Sequence, residues 1–367
     1  MKSISVIDAV NRQFRHLINK LFSHTAVVFM VIIATGLTGS FLLHSSHAAS
    51  PNISAQPITG ALTGAVTIQN DTSSSAGRAV KFGSTAIWQP TATQPMPLHW
   101  VLGGALDTSD PVQMGLRDFS GATLPEPMVY DIDGDYNPKS TVDYLHNKGK
   151  KVICYFDAGV YETYRADAYK FQALSPQIWG NADAGWAGSY WLDIRRVDEL
   201  KPIMQARMQQ CKDKGFDAIE PDEITDYSND PGFPLTYADQ ITYNRAVASW
   251  AHAINMSIGL KGDLEQAHDL VTNFDWTLNE ECFEYSECTT VYNGGPGADN
   301  KDYPGLQLFV QQNKAVWVAE YKAYTTAQWT TICTTSATNH FNTARYKLGL
   351  PTNGGRMPCA TTSATTW

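Results

Sequence analysis

Metal-ligand spacing is missing from this 367-residue chain: six cysteines and nine histidines form no C-x-x-C, no H-x-x-x-H and no EF-hand loop. A zinc site and a dedicated calcium cage are therefore not expected. The stretch "DYSND" (Asp226 to Asp230) supplies oxygens without that spacing. A nucleophile elbow, G-x-S-x-G, is missing too, and His252 and His268 sit in helix-like stretches, which argues against Ser-His-Asp chemistry. Basic residues are scarce. Beyond residue 49 the chain carries 23 Lys and Arg against 35 Asp and Glu, a balance that disfavours nucleic acid and anionic membranes. It suits a neutral or cationic partner, and it equally serves to keep an exported protein soluble. No metal or cofactor is expected, and the chain is read as a monomer.

What is present begins with an export pattern. Arg12, Arg15 and Lys20 precede the 18 uncharged residues from Ala26 to Leu43, and small residues follow near Ala48. Residues 1–49 read as a signal peptide, or as an anchor that stays in the bilayer through residues 26–43. Either leaves the remainder outside the cytoplasm. All six cysteines, Cys154, Cys211, Cys282, Cys288, Cys333 and Cys359, lie in that remainder, where disulfides form. Cys282 with Cys288 would close a tight loop and Cys333 with Cys359 would tie down the C-terminal segment. Cys154 and Cys211 are either bonded or two buried thiols.

Residues 50–96, rich in Ser, Thr, Ala, Gly and Pro, read as a linker or the stub of a small β module, with a hairpin in "GAVTIQNDTSSSAGRAVKFG". Residues 97–360 read as one catalytic-size domain and 361–367 as a tail. From Leu98 onward, strand-length apolar runs recur: "LHWVLGG", "PMVYDID", "KVICYFD", "YWLDIR", "DAIEPD", "MSIGLK", "FDWTLNE" and "AVWVAEY". Helical stretches separate most of them. Pro138 suits a first helical position and Gly149 a C-terminal cap, while Thr236 and Asp239 have capping-box spacing. Eight strand candidates alternating with helices predict an α/β fold, a (β/α)8 TIM-type barrel. The first connection lacks a clear helix, so irregularity is expected there.

The strand candidates end in charge. Read to their C-terminal ends, they give Asp131 and Asp133, Asp157, Asp193, Glu220 and Asp222, Lys261 with Asp263, Glu280, and Glu320. In a parallel barrel those ends meet on one face, where active sites of this architecture lie. Acids crowded together repel one another, so a return in chemistry is expected. A pair of carboxylates in unlike environments fits glycoside hydrolysis, one protonating the leaving oxygen while the other attacks or activates water. Trp100, Tyr130, Tyr155, Tyr161, Trp191, Tyr227, Tyr285 and Tyr321 flank the same ends. They line a sugar groove or pack the rim.

The strings "VICYFDAGVYETYRADAYKF", "WLDIR", "GFDAIEPDEITDY", "GFPLTYADQITYNRAVASWAHA", "GLKGDL", "FDWTLNEECFEYSEC" and "VAEY", in this order, resemble glycoside hydrolase family 114, the endo-α-1,4-polygalactosaminidases, over roughly residues 97 to 360. The resemblance implies a TIM-type barrel and endo-cleavage of α-1,4-linked galactosamine polymer with retention. It puts the nucleophile on Asp222 and the general acid/base on Glu280, with Glu220 as the rival nucleophile. Asp131, Asp133, Tyr155, Asp157, Glu162, Arg165, Trp191, Asp193, Glu220, Lys261, Glu320 and Tyr321 are the expected groove residues, Arg165 and Arg195 more as partners of carboxylates than as contacts to a cationic sugar. The polysaccharide is the expected partner. Where the family reads "EPDNVDGY" this chain has "EPDEITDY", so Glu223 stands at an Asn position and Thr225 at an Asp position. The alternatives are a non-catalytic carbohydrate-binding surface protein on the same barrel and a hydrolase of another α-linked polysaccharide.

Overall fold

A computed structural model describes residues 87–118 and 121–359, with the backbone of 66–70 and 78–82. The expected signal or anchor (1–49) and the tail (361–367) lie outside the described residues. The chain divides into two units, residues 1–86 and 87–367. In the first, Val66–Asn70 pairs antiparallel with Arg78–Phe82, at the position of the hairpin read from the sequence.

The second unit is built on eight strands: β1 (Leu98–Val101), β2 (Val129–Asp133), β3 (Lys151–Asp157), β4 (Ala218–Asp222), β5 (Ser257–Lys261), β6 (Trp276–Glu280), β7 (Val316–Glu320) and β8 (Asn342–Arg345). Each runs parallel to the next. Past β8 the chain crosses to β1: the Tyr346 hydroxyl donates to the Leu98 carbonyl at 2.9 Å, and the Leu102 and Gly103 N–H groups donate to the Leu350 carbonyl at 3.1 and 3.0 Å. The architecture is a (β/α)8 TIM-type fold. Helices α1 (Lys139–Asn147), α2 (Val197–Lys214), α3 (Tyr237–Ala253) and α4 (Thr326–Thr338) return the chain between strands. Thr236 and Asp239 form the capping box that their spacing predicts. Pro138 sits one residue earlier than expected, as the cap of α1, and Gly149 follows the helix end at φ +72°. The described residues of the first connection, 102–128, contain no helix.

Strand membership differs from the sequence reading in one exchange. "YWLDIR" is not a barrel strand: Ser189–Leu192 is the middle strand of an antiparallel sheet with Val160–Glu162 and Trp179–Ala182. The eighth place is taken by "NTAR", β8, whose Asn, Thr and Arg conceal a strand buried at three of four positions. Residues 87–96, read as the end of a linker, pack under the N-terminal ends of the strands. The Trp88 and Trp317 rings lie 6.5 Å apart, and the Trp317 indole N–H donates to the Met96 carbonyl at 2.7 Å.

Period-two alternation sorts the strand residues into two layers. Val101, Ile132, Val152, Cys154, Ile219, Ile258, Leu260 and Val318 join the helices in the outer core. Leu98, Trp100, Val129, Ile153, Ala218, Trp276, Leu278 and Trp317 fill the barrel. Gly259 makes room for them: a Cβ there would lie 2.2 Å from the Trp276 ring. Along this inner phase, apolar side chains give way toward the strand ends to Asp131, Asp133, Tyr155, Asp157, Glu220, Asp222, Lys261 and Glu280.

Candidate active site

Three consecutive strands build the centre of the site. Asp222 ends β4, Lys261 ends β5 and Glu280 ends β6. The Lys261 ammonium donates to Asp222 Oδ1 at 2.9 Å and to Glu280 Oε2 at 2.5 Å. Two oxygens held by one nitrogen are no further apart than the two bonds laid end to end, about 5.4 Å. The Glu223 N–H also donates to Asp222 Oδ1, at 2.8 Å, and the Tyr321 hydroxyl donates to Glu280 Oε1. Burial opposes the charge on Lys261, yet Asp222, Glu280 and Glu220 outweigh it and hold the ammonium well above the ordinary lysine range. The same ammonium lies 5.1 Å from the centre of the Trp100 ring.

One layer deeper, Glu220 and Asp131 are fully buried, and each bears on the other's ionisation. Trp100 Nε1 donates to Glu220 Oε2 at 2.9 Å. Burial pushes both carboxyls up, Asp131 to about 7 and Glu220 well above its usual range, with the charge of Asp131 adding to the effect on Glu220. Two carboxyls so placed share a proton. Glu220 is thus enclosed beneath Asp222, whereas the Asp222 and Glu280 side chains are 15% and 33% exposed.

Beside this centre stands a second cluster around Arg165. Its guanidinium donates to both Glu162 oxygens at 2.9 Å and to Asp133 Oδ2 at 2.8 Å, and lies 3.7 Å from Asp157 Oδ2. The Tyr155 hydroxyl donates to Asp157 Oδ1 at 3.0 Å. Burial and the neighbouring Glu162 push Asp157 well above the usual carboxylate range. Asp157 is the register partner of Asp222, so the two clusters touch along the β3–β4 ladder. Arg207, from the middle of α2, donates to the Asp157 carbonyl at 2.7 Å and to both oxygens of Asp167 at 2.9 Å. Nothing marks it from sequence, where it stands between Ala206 and Met208 in a helical stretch.

Not every expected groove residue joins these clusters. Glu320 falls on the outer phase of β7, where Oε1 accepts the Phe283 N–H at 2.9 Å and Oε2 accepts the Tyr324 hydroxyl. It anchors the turn after Glu280 rather than facing the barrel mouth. Asp193 is matched by Arg195 at 2.7 and 2.8 Å, outside the barrel, and Trp191 is buried on the three-stranded sheet opposite Val160. Asp263 turns aside to accept from Asn244 at 2.8 Å. Glu223 was read only as a departure from the family's pattern, yet it stands in the site with left-handed backbone (φ +56°). Burial and the charges of Asp222, Asp183 and Glu280 push its carboxyl well above the usual range. Three disulfides, Cys154–Cys211, Cys282–Cys288 and Cys333–Cys359, tie β3 to α2, close the turn after Glu280 and fasten the end of the described chain. Among the described residues no cluster of three or more His, Cys, Asp or Glu is arranged to hold a metal ion, and no helix is long and apolar enough to cross a membrane.

Residues 77–364 match the model of glycoside hydrolase family GH114. The chain belongs to that family. It is similar to Aspergillus fumigatus Ega3, solved in complex with galactosamine, at 32% identity over 75% of this chain and 99% of that one, with a TM-score of 0.60. It also resembles the glycoside hydrolase domain of PelA from Pseudomonas aeruginosa, at 11% identity over 71% of this chain and 98% of that domain, with a TM-score of 0.47. Comparison with curated protein sequences finds no match. Membership of GH114 makes this chain a glycoside hydrolase.

Proposed function

We propose that the protein is an exported, endo-acting hydrolase of α-1,4-linked galactosamine-containing polysaccharide, working with retention through Asp222 and Glu280. The observation that carries the mechanism is the single ammonium between the two carboxylates. Retaining glycosidases hold their carboxyl groups about 5 to 5.5 Å apart, and inverting ones at least about 6.5 Å. The limit of about 5.4 Å that Lys261 sets between Oδ1 and Oε2 supports the closer, retaining spacing. Galactosamine as the sugar rests on the complex formed by Ega3 and on the acidic surroundings of the site, which favour a cationic ligand.

In this reading Asp222 is fixed by two donors on Oδ1, Lys261 and the Glu223 N–H, and Oδ2 is the oxygen assigned to attack the anomeric carbon. As the glycosidic bond breaks, Glu280 gives its proton to the leaving oxygen. The glycosyl ester on Asp222 is then hydrolysed by water that Glu280 deprotonates, which restores both carboxyls. Glu220, paired with Asp131 and Trp100 beneath, positions Asp222 and does not attack.

Asp222→Asn and Glu280→Gln each lower chain cleavage by at least about 10³-fold with unchanged circular dichroism. Proton NMR of the first product formed shows the α anomer. An initial β anomer, or full activity in either variant, overturns the assignment.

A further inference from the structure

The described surface exposes few large apolar side chains; two of its aromatics flank one guanidinium, and a third sits on a turn bonded to the same segment. Tyr164 is 56% exposed, Trp186 52% and Tyr136 47%. The rings of Tyr136 and Tyr164 both sit against the Arg165 guanidinium, at 5.4 and 5.6 Å, while that guanidinium is itself buried. The Tyr164 hydroxyl donates to Glu162 at 2.7 Å. The turn that carries Trp186 is stitched to the same place. Thr163 N–H donates to the Gly188 carbonyl at 2.9 Å, and a Cβ on Gly188 would lie 3.3 Å from the Tyr164 ring. Trp186 N–H donates to the Asp183 carbonyl at 3.3 Å, which closes the turn.

The two tyrosine rings, held against a buried guanidinium, keep apolar surface in water with little entropy left to lose on binding. Their neighbours are mostly carboxyls: Asp133, Asp135, Asp157 and Glu162 surround Arg165, and Arg207 lies 3.9 Å from Glu162. The combination of open ring faces and excess negative charge suits a ligand with an apolar face and ammonium groups. Through Asp157, register partner of Asp222, the strip is continuous with the centre of the site.

We propose that Tyr136, Tyr164 and Trp186 form a distal subsite on which further sugar units of a hexosamine polymer stack, so that long chains bind better than short ones. The proposal rests on the galactosamine reading above and adds where the polymer runs. The test uses the full exported chain with Trp186→Ala and Tyr136→Ala combined, on long α-1,4-galactosamine polymer and on the shortest oligomer it cleaves. We expect KM to rise about tenfold on the polymer, with no change on the oligomer, no change in kcat, and recovery in the double phenylalanine variant. A polymer KM that stays at the wild-type value, or rises equally on the oligomer, overturns the subsite alone. A wild type that cleaves galactosamine chains of no length overturns the reading beneath it, and the subsite with it.

Discussion

Lys261 is the residue on which the geometry turns, because its ammonium alone ties β4 to β6 across β5. Replacing it with Met removes both bonds and leaves Asp222 with one of its two Oδ1 donors, the Glu223 N–H. Misplacement of a reacting group by about 1 Å costs about 100-fold, so Lys261→Met is expected to lose at least that in kcat, measured beside circular dichroism, with Lys261→Arg recovering part of it. A second residue-scale consequence concerns pH. Burial lifts Asp131 from its ordinary 3.8 to about 7. Between those values the folded chain binds more protons than the unfolded one, so this carboxyl's contribution to stability is whole below about pH 3.8 and falls as pH rises toward 7. The urea midpoint of the wild type is expected to drop from pH 5 to pH 8, and Asp131→Asn to drop less, since Glu220 then faces a neutral partner. An equal drop in both would remove the shared proton from the account. The carboxylates themselves were legible from their strand-end positions. Their pairing was not: an alternating strand shows that Glu220 and Asp222 point the same way, but only the barrel interior shows that Glu220 lies under Trp100.

Among the elements, legibility followed hydrophobic pattern. Seven barrel strands announce themselves by Val, Ile, Tyr and Trp, and the eighth, "NTAR", does not, because its burial comes from packing against β7 and the following segment rather than from its own apolarity. "YWLDIR" has the composition of a strand and is one, but an antiparallel one; composition does not report which sheet a strand joins. The error placed Asp193 and Trp191 at the barrel mouth. The turn after β6 offers an element-scale prediction. Cys282–Cys288 closes a six-residue separation directly after Glu280, and Glu320 accepts the Phe283 N–H within it. Closing so short a loop stabilises the chain by about 2 kcal/mol, and the bond spans the turn that follows Glu280. Cys282→Ser with Cys288→Ser is therefore expected to lower activity at temperatures where far-ultraviolet circular dichroism still reports a folded barrel. Activity and ellipticity lost together would assign the bond to global stability instead.

For the whole molecule, charge decides how substrate arrives. The chain carries an excess of acids over bases beyond residue 49, and the mouth holds Asp222 and Glu280 against Lys261, with the carboxyls of Glu223 and Asp157 beside them pushed toward the neutral form. Such a field draws in a cationic polymer and leaves a neutral one unaffected. Screening is the discriminating variable, for the Debye length falls from about 30 Å at 0.01 M salt to about 10 Å at 0.1 M. If the acidity serves recognition, KM on the free-amine polymer rises steeply over that range while KM on the N-acetylated polymer stays level, and kcat changes on neither. If it serves only to keep the exported chain soluble, both KM values are flat. Glu223 connects this scale to the site: burial and Asp222 push its carboxyl up, so it adds negative charge only once the pH is high enough to ionise it, and there Glu223→Asn is expected to weaken the salt dependence of KM without touching the bonds that hold Asp222 and Glu280. A variant with the full wild-type salt slope would place the recognition of charge elsewhere on the surface.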